Sequence, residues 1–520
     1  MVSLINSGSL PELEHPSFAT YQGQLNEFYQ AGGYAPGWLH DHRPSPQALA
    51  MITEFKQAQL KGLTPDDYDA PRWDARLAKL ASTPPPSDSE QEHFDLALTI
   101  CAMRFISDLH LGRVNPQQFK FGLEEGTKQY DLAEVLRTRV LDAPDEAAAI
   151  AKVEPPYDGY RRAEAALPDY LKLAAQGDVA PVPVPGRSIH PGQPYAGVPQ
   201  LAARLRQLGD LAASQDVSAD SRTYSGPIVV AVEHFQDRHG LAPDGVLGAG
   251  TVSELNKPLA YRLEQLDLAL ERYRWIPRHF PEPPIVVNIP EFRLRTMRRQ
   301  AAEFISMNVV VGKAFRSETP VFADEMRYVI FRPYWNVPTE IQRNELIPKI
   351  QRKANYLAQH QFQIIDGGGS VVTDGAVDAD VMRGLRSGAY TIRQKPGPKN
   401  ALGLVKFIFP NNYNVYLHST PEQELFSRAR RDFSHGCIRV ENPAGLAAWV
   451  LRNKPDWNPD RIRATMTGDA DNVQVNLDKP IPVLILYSTA VVEPDNEVHF
   501  FNDIYGYDAS LQKALQAGAT

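Results

Sequence analysis

The chain has 520 residues, of which 43% are hydrophobic and 22% charged, and its formal net charge is -8. This length exceeds what one hydrophobic core supports, so we expect two to four domains. The charge excludes a nucleic-acid-binding footprint, no apolar stretch approaches the ~20 residues that span a bilayer, and two cysteines are too few for a disulfide framework.

The N-terminal sequence MVSLINSGSLPELEHP has no charged region followed by the apolar core of a signal peptide. We therefore expect either a cytosolic protein or one from which a leader has been removed.

Residues 20–178 are predicted to form a helical domain, because several segments carry apolar residues at spacings of three and four. Cys101 lies in one of them, FDLALTICAMRFISDLH. Small apolar residues in such a pattern usually face the core, so Cys101 is predicted to be a buried helix residue.

A proline-rich connector, residues 178–200, is predicted to be extended. Residues 195–257 then form a small helical domain, with a helix predicted over 227–238 and Thr251 predicted to cap a short final helix. An amphipathic helix within 258–280 connects this domain to the next one.

From residue 284 to residue 508 the hydrophobic period changes to two, and β-branched and aromatic residues dominate. This pattern predicts a mainly β domain. An insertion at 339–400 has a helical pattern and is predicted to be a lid over a substrate. The predicted fold class is multidomain α+β: a helical N-terminal scaffold, a small helical domain, and a mainly β catalytic domain with an inserted lid subdomain.

Cys437 lies in FSHGCIRVEN, directly before a strand-like run. A thiol near its ordinary pKa is only a few per cent thiolate at neutral pH, so a cysteine nucleophile needs a base or positive surroundings. His418 ends the strand-like NVYLHS nineteen positions earlier, a spacing that allows two strands and a loop to bring imidazole and sulfur together. Two interpretations stay open: a small apolar plug, or a nucleophile with His418 as general base.

Other residues near this cysteine have candidate roles. Ser419 is placed to orient the second ring nitrogen of the imidazole. The backbone N–H groups of Gly436 and Cys437 are candidates for an oxyanion hole, because glycine permits the tight turn that this needs. His435 and Arg439 are candidates for holding the site or binding an anionic group. A zinc site is a weaker alternative, since the chain has neither a CxxC pair nor an HExxH motif.

His418, followed after fifteen residues by the run SHGCIR (434–439), resembles the signature of the L,D-transpeptidase catalytic domain. The segments VVVGK, TPVF, PYWNVP, RQKPGPKNALG and VLILYSTAVVEPDNEVHFFNDIYGYD are similar to the longer Gram-negative members, and together they cover nearly all of residues 284–508. Many members have asparagine where this chain has Arg439, and arginine is familiar in the longer subfamily.

The small helical domain resembles a peptidoglycan-binding module. The residues that carry this resemblance are Phe235, Gln236, Gly240, Leu241, Asp244, Gly245, Val246, Gly248, Thr251, Leu255 and Asn256. The N-terminal helical domain is similar, mostly by position, to the scaffold domain of the same long enzymes.

The resemblance implies an enzyme that acts on the peptide stems of bacterial cell wall without a metal or organic cofactor. Cys437 would attack the carbonyl of the third stem residue, a diaminopimelate, and expel the terminal D-alanine. The thioester would then pass to the side-chain amine of a second stem, giving a 3→3 crosslink. His418 would act as base and then acid, oriented by the backbone carbonyl of Ser419, while His435 and Gly436 shape the turn.

The resemblance also implies substrate-binding residues. Tyr416, on the strand face of the catalytic imidazole, and Trp335 are predicted to line the pocket or groove, with core or lid packing as the alternative for both. Stem carboxylates would meet Arg439, Arg393 or Lys395, and the segment that contains Asn400 would close over the donor stem and bind it.

Peptidoglycan lies outside the cytoplasm, so the predicted location is the periplasm. The expected partners are a tetrapeptide donor stem, an acceptor stem and glycan contacted through residues 195–257, and a carbapenem is expected to acylate Cys437. Three function classes stay open: a crosslinking transpeptidase, a cysteine L,D-carboxypeptidase or wall-protein-detaching hydrolase, and a non-catalytic wall-binding protein. The intact Cys/His pair argues against the third.

Overall fold

The computed structural model describes residues 1–123, 130–215, 217, 221–296 and 304–518. The chain divides into two units, Met1–His279 with Ser488–Thr520, and Phe280–Tyr487. Among the described residues, none of the helices has the length and hydropathy of a bilayer span. The first unit begins with α1 Val2–Ser7, α2 Gln22–Ala31, β1 Leu39–His40, β2 Arg43–Pro44, α3 Pro46–Lys56, α4 Trp73–Leu80, α5 Asp88–Leu111, α6 Leu132–Val135, α7 Glu146–Ala151, α8 Asp158–Gln176, α9 Val198–Gln207, α10 Pro227–Arg238, α11 Ala249–Leu255 and α12 Leu259–Arg274.

Helix α5 is the central helix of the N-terminal helical region. It starts in a capping box in which Ser87 and Glu90 satisfy each other's backbone N–H groups, and buried side chains then occupy most of its surface. Its neighbours in the core include Trp38, Phe55, Tyr68 and Trp73. Cys101 is fully buried in this helix, and burial raises the pKa of its thiol to about 12. The predicted structural role of Cys101 is therefore confirmed.

The small helical domain contains α9, α10 and α11, and α10 has the predicted bounds. The proline-rich connector before it contributes to its core, since Val182 and Tyr195 are buried with the helices. The sequence predicted that Thr251 caps α11, but the structure shows a different N-cap residue. Gly248 is the N-cap, and the Thr251 hydroxyl inside the first turn donates to the Val246 carbonyl. Thr251 therefore stabilises the preceding loop rather than the helix terminus.

The second unit is built on a curved sheet that closes on itself. Its elements are β3 Ile285–Asn288, β4 Arg293–Thr296, β5 Ser306–Gly312, β6 Phe322–Phe331, β7 Trp335–Asn336, α13 Thr339–Ile341, α14 Ile347–Arg352, α15 Tyr356–Gln359, β8 Phe362–Ile365, β9 Val371–Thr373, α16 Ala379–Ser387, β10 Thr391–Gln394, β11 Val405–Ile408, β12 Leu417–His418, β13 Asp432–Ser434, β14 Ile438–Val440, α17 Pro443–Val450, α18 Pro459–Thr467 and β15 Val473–Leu486. The strand order is β13-β5-β14-β12-β11-β6-β15-β3-β4, and β4 also pairs with β5. That last pairing removes the open edge that β4 would otherwise present.

An inserted subdomain forms a second, four-stranded sheet in the order β7-β10-β8-β9. The sequence predicted helices from residue 339, but the insertion's sheet already includes Trp335, because Trp335 pairs with Gln394. Helices α13 to α16 accompany this sheet. The insertion has its own core, which consists of Val337, Leu346, Ile347, Ile350, Leu357, Phe362, Ile364, Leu385 and Ile392.

The C-terminal segment belongs to the first unit. The hairpin β16 Ala490–Val492 and β17 Val498–Phe500 and the helix α19 Tyr507–Gly518 follow the sheet of the second unit in the chain. The hairpin buries Val492 and Phe500 with apolar side chains of α8 and α12. The predicted end of the β domain at residue 508 therefore differs from the observed end at Tyr487, because the last predicted strands pack against distant helices.

Candidate active site

The candidate site lies on one face of three neighbouring strands. Strand β12 pairs in parallel with β14, with His418 opposite Arg439, and antiparallel with β11, with His418 opposite Lys406. Paired residues point to the same face of a sheet, and so do residues two apart on one strand. Lys406, Tyr416, His418, Cys437 and Arg439 therefore share one face. The alternate residues Val405, Phe407, Leu417 and Ile438 are fully buried on the other face.

Cys437 ends a short turn between β13 and β14. The turn needs glycine at 436, where φ is 109°, a backbone conformation that side chains disfavour. The Ser434 hydroxyl accepts from the Gly436 N–H at 3.1 Å and donates to the Cys437 carbonyl at 2.5 Å. The buried Thr319 hydroxyl donates to the Gly436 carbonyl at 2.8 Å. These bonds hold the backbone that carries the sulfur.

The predicted oxyanion hole of two backbone N–H groups is not formed in this arrangement. The Gly436 N–H is engaged by the Ser434 hydroxyl and is buried, so it has no second direction in which to donate. Among the described residues, no acceptor engages the Cys437 N–H. One of the two predicted donors is thus available to a developing oxyanion.

His418 is 4% exposed at the end of β12. Its Nδ1 donates to the Ser419 carbonyl at 2.5 Å, so the neutral ring carries its proton there and has the lone pair on Nε2. Burial, and then the charge of Arg439, lowers the pKa of His418 to about 3, although hydrogen bonds to the Ser419 and Leu402 carbonyls act in the opposite direction. The imidazole is therefore neutral at pH 7, with an unprotonated Nε2.

The Cys437 sulfur has several polar neighbours. Burial raises the pKa of the thiol, while the backbone N–H and hydroxyl of Tyr416, both donating to the sulfur, act in the opposite direction. Sγ lies 3.7 Å from the Asn414 carbonyl oxygen. The indole N–H of Trp335 in turn donates to the Tyr416 hydroxyl. Of the two predicted aromatic residues, Tyr416 is therefore next to the thiol and Trp335 is next to Tyr416.

Two of the charged candidates have specific partners. His435 Nε2 donates to Glu345 of the insertion at 2.6 Å. Arg439 pairs with Glu422, so its guanidinium is partly neutralised on the sheet face. In the described part of the chain, no three His, Cys, Asp or Glu side chains converge as a metal-binding group.

Comparison with known families assigns this part of the chain. Residues 283–475 match the family model described as "L,D-transpeptidase catalytic domain". The chain carries an L,D-transpeptidase catalytic domain. Residues 195–255 match a model described as "Putative peptidoglycan binding domain", and residues 23–167 match one described as "Scaffold domain". The three domain types are those that the sequence resemblance indicated, and the α+β fold class is confirmed.

A curated relative of the L,D-transpeptidase domain is the "Putative L,D-transpeptidase" of Haemophilus influenzae (strain ATCC 51907 / DSM 11121 / KW20 / Rd), which is 33% identical over 251 residues. The alignment covers 48% of this chain and 49% of that protein, so the chain spans about half the length of this relative. The crystal structure of the L,D-transpeptidase (residues 123–326) from Xylanimonas cellulosilytica DSM 15894 is 15% identical and covers 58% of this chain and 100% of that one, with a TM-score of 0.18.

Two predicted substrate-binding residues of the L,D-transpeptidase domain are engaged elsewhere. Asn400 is fully buried; its amide donates to the Pro333 and Lys395 carbonyls and its oxygen accepts from the Leu402 N–H. It shapes the loop before β11 and has no surface for a substrate, contrary to the prediction. Arg393 lies on β10, where its guanidinium donates to Gln363 and stacks over the ring of Tyr334.

Sequence reasoning missed several residues that build the site. Ser434 and Thr319 hold the turn that carries Cys437, and Ser434 was visible within the family signature. Gly403, with φ at 62°, lets the loop before β11 approach Ser419, where a Cβ would lie 2.4 Å from the hydroxyl oxygen. Lys406 had a signal too: it is a charged residue inside the apolar strand VKFIF.

The resting pair in the L,D-transpeptidase domain is a neutral thiol and a neutral imidazole. We expect the rate of Cys437 alkylation by iodoacetamide to rise with pH to a midpoint above the ordinary thiol pKa of about 8.5. No step is expected near pH 6.5, because the His418 pKa is far below it. Cys101 is the internal control, since its burial prevents native-state alkylation. Half-maximal reactivity below pH 7 would show a preformed thiolate–imidazolium pair and contradict this result.

Proposed function

We propose that this protein is a peptidoglycan L,D-transpeptidase that forms 3→3 diaminopimelate crosslinks through a thioester on Cys437 and releases D-alanine. The observation that carries the proposal is the placement of Cys437, His418 and Tyr416 on one face of paired strands. The family match at 283–475 supports the same chemistry.

In the first half-reaction Cys437 gives its proton to Nε2 of His418, and the sulfur attacks the carbonyl carbon of the third stem residue. The C–S bond forms while the carbonyl oxygen takes up negative charge, for which the Cys437 N–H is a free donor. The imidazolium then protonates the departing amine, the C–N bond breaks, and D-alanine leaves. The products are the thioester and a neutral His418.

In the second half-reaction the side-chain amine of another stem attacks the thioester carbonyl. His418 accepts the amine proton and returns it to the departing sulfur, which restores the resting pair. Water would react by the same route and give a tripeptide product. The balance between crosslinking and hydrolysis therefore depends on how well water is excluded from the thioester.

The inserted subdomain has two contacts with the site that fit a lid. The Trp335 N–H reaches the hydroxyl of Tyr416, and Glu345 accepts from His435 next to the nucleophile. We propose that the insertion closes over the donor stem through these contacts. Opening of the insertion would let water reach the thioester and would also let products leave the site.

Glu345→Gln should weaken the contact with His435, because the carboxylate becomes a neutral amide. We expect the ratio of hydrolysed tripeptide to crosslinked dimer to rise about threefold, since a hydrogen bond to a charged group contributes roughly 1.5–3 kcal/mol and only part of it acts on closure. Liquid chromatography of the reaction products measures this ratio. Glu340→Gln, an exposed carboxylate of the same insertion, is the matched control. An unchanged ratio in Glu345→Gln would contradict the lid role of this contact.

The test of the function uses purified protein and muropeptides with tetrapeptide stems, with products identified by mass spectrometry. We expect 3→3-linked dimers and free D-alanine. Tripeptides without dimers would favour an L,D-carboxypeptidase or wall-protein-detaching hydrolase, and unchanged substrate would favour a non-catalytic wall-binding protein. A carbapenem is expected to add its mass to Cys437 and not to Cys101.

The proposal extends to location and partners. A peptidoglycan-crosslinking enzyme must act where the polymer is, so we propose the periplasm. The match of residues 195–255 supports a contact with peptidoglycan through the small helical domain. Sedimentation with isolated cell-wall sacculi would test that contact, and protein remaining in the supernatant would contradict it.

A further inference from the structure

Lys406 has an unusual setting for a lysine. It lies in β11 directly opposite His418, and its ammonium nitrogen is 3.7 Å from the centroid of the Tyr416 ring. It is half-buried, and within the described residues no carboxylate forms an ion pair with it. Most half-buried lysines of the second unit differ in this respect; Lys454, for example, pairs with Asp478 at 2.6 Å.

The surroundings of Lys406 contain one group that can become an anionic partner of its ammonium group. The titratable or charged side chains on the shared face of β12 and β14 are Tyr416, His418, Cys437 and Arg439. On β6, Lys406 is opposite the apolar Ile330, and Tyr328 is the ionisable side chain two residues away on that face. Of these groups, the Cys437 thiol becomes an anion during the proposed reaction.

Removing a cation from water is costly unless negative charge or π-electrons compensate it. Burial lowers the pKa of Lys406, and the Cys437 thiolate acts in the opposite direction. The effect is mutual, since the ammonium also lowers the pKa of the thiol against the larger effect of burial. A cation against the ring of Tyr416 further makes its hydroxyl a stronger donor to the sulfur.

We propose that Lys406 is a positioning residue for the nucleophile: its ammonium stabilises the Cys437 thiolate through space and, by its contact with the Tyr416 ring, strengthens the hydroxyl that donates to the sulfur. This inference rests on Cys437 being the nucleophile of the proposed function. It assigns a role to a residue that lies in neither the Cys/His pair nor the family signature.

The test measures alkylation of Cys437 by iodoacetamide from pH 6 to pH 11 in full-length protein, with labelling located by peptide mass spectrometry. Lys406→Met keeps the length and apolar stem of the side chain and removes its charge, whereas Lys406→Arg keeps the charge. We expect the midpoint of the rate–pH profile to rise by about one pH unit in Lys406→Met, which corresponds to a roughly tenfold slower reaction at pH 7.5. Lys406→Arg should stay within about threefold of the parent protein.

Lys454→Met is the control, because it removes a half-buried ammonium of the same unit whose partner is a carboxylate. Its alkylation profile should match that of the parent. An unchanged profile in Lys406→Met would overturn the proposal, even if its KM for muropeptide rose, because that result assigns Lys406 to a substrate carboxylate. Equal shifts in the Met and Arg variants would also overturn it, since packing and not charge would then be responsible.

The alkylation readout uses no peptidoglycan, so it separates this inference from the proposed function. If muropeptides are unchanged but the profile of Lys406→Met shifts, Lys406 tunes the thiol and the proposed substrate is wrong. If muropeptides are crosslinked but the profile does not shift, the function stands and the role of Lys406 is wrong. Circular dichroism and thermal unfolding of each variant show whether the fold is retained.

Discussion

We expect Cys437→Ala to abolish the proposed crosslinking and carbapenem adduct formation, with a loss of at least about 10³-fold, because the variant lacks the thiol that would carry the acyl group. The fold is retained, since the turn is held by backbone and hydroxyl bonds that do not involve the sulfur. Mass spectrometry of muropeptide products and of the intact protein measures both losses. Thermal unfolding should change little, because the Cys437 side chain is only partly buried.

Cys101→Ala is the matched control for that variant. It removes the other thiol of the chain, which is fully buried in α5. We expect unchanged activity per folded molecule and a destabilisation of about 1 kcal/mol from the small cavity. Dimers formed by Cys437→Ala, or activity lost only in Cys101→Ala, would show that the nucleophile has been assigned to the wrong residue.

His418→Gln lowers the rate of thioester formation by about 10² to 10⁴-fold, the usual contribution of a positioned acid–base group. The glutamine amide can still donate to the Ser419 carbonyl, so the variant removes the proton acceptor with little change in shape. Carbapenem acylation followed by mass spectrometry at pH 7.5 measures the rate. An acylation rate close to that of the parent would contradict the role of His418 as base.

The same variant should leave iodoacetamide alkylation of Cys437 within about threefold of the parent at pH 10. The His418 imidazole is neutral at that pH and adds no charge to the thiolate, and bulk hydroxide replaces the base. A large loss of alkylation in His418→Gln would instead indicate that the imidazole holds the sulfur in place. The two measurements together therefore separate proton transfer from a structural effect.

Several helices and the nature of the site residues were predictable because the signals are local. Apolar spacing predicted α10 and the burial of Cys101, and alternation predicted that Tyr416 and His418 point to one side of a strand. Asn400 shows the limit of this reasoning. A polar residue in a Pro/Gly-rich segment suggested a substrate contact, but its hydrogen-bond capacity is used by three backbone groups of its own loop and the preceding strand connection.

Boundaries and hydrogen-bond partners depended on contacts between residues far apart in the chain. The segment after Tyr487 has a strand pattern that suits the β domain equally well. Its two strands instead pair with each other, and the hairpin packs against helices of the first unit. The Gly436 N–H was a reasonable oxyanion donor until its bond with Ser434 became visible. Neither the packing of this hairpin nor the hydrogen bond of Gly436 is reflected in the hydrophobic period or composition of the sequence, so neither has a local signal.

The sequence by itself determined which residues are the candidates for the chemistry, because a rare thiol in SHGCIR and a histidine at a set distance before it carry a family pattern that depends on residue type and spacing. Only the tertiary structure decided which strands became neighbours. The pairing of β11 with β12 and of β12 with β14 places an ammonium, a phenol, an imidazole and a thiol on one face. Their pKa values follow from that proximity and from burial, which are properties of packing between distant segments and not of any one of them.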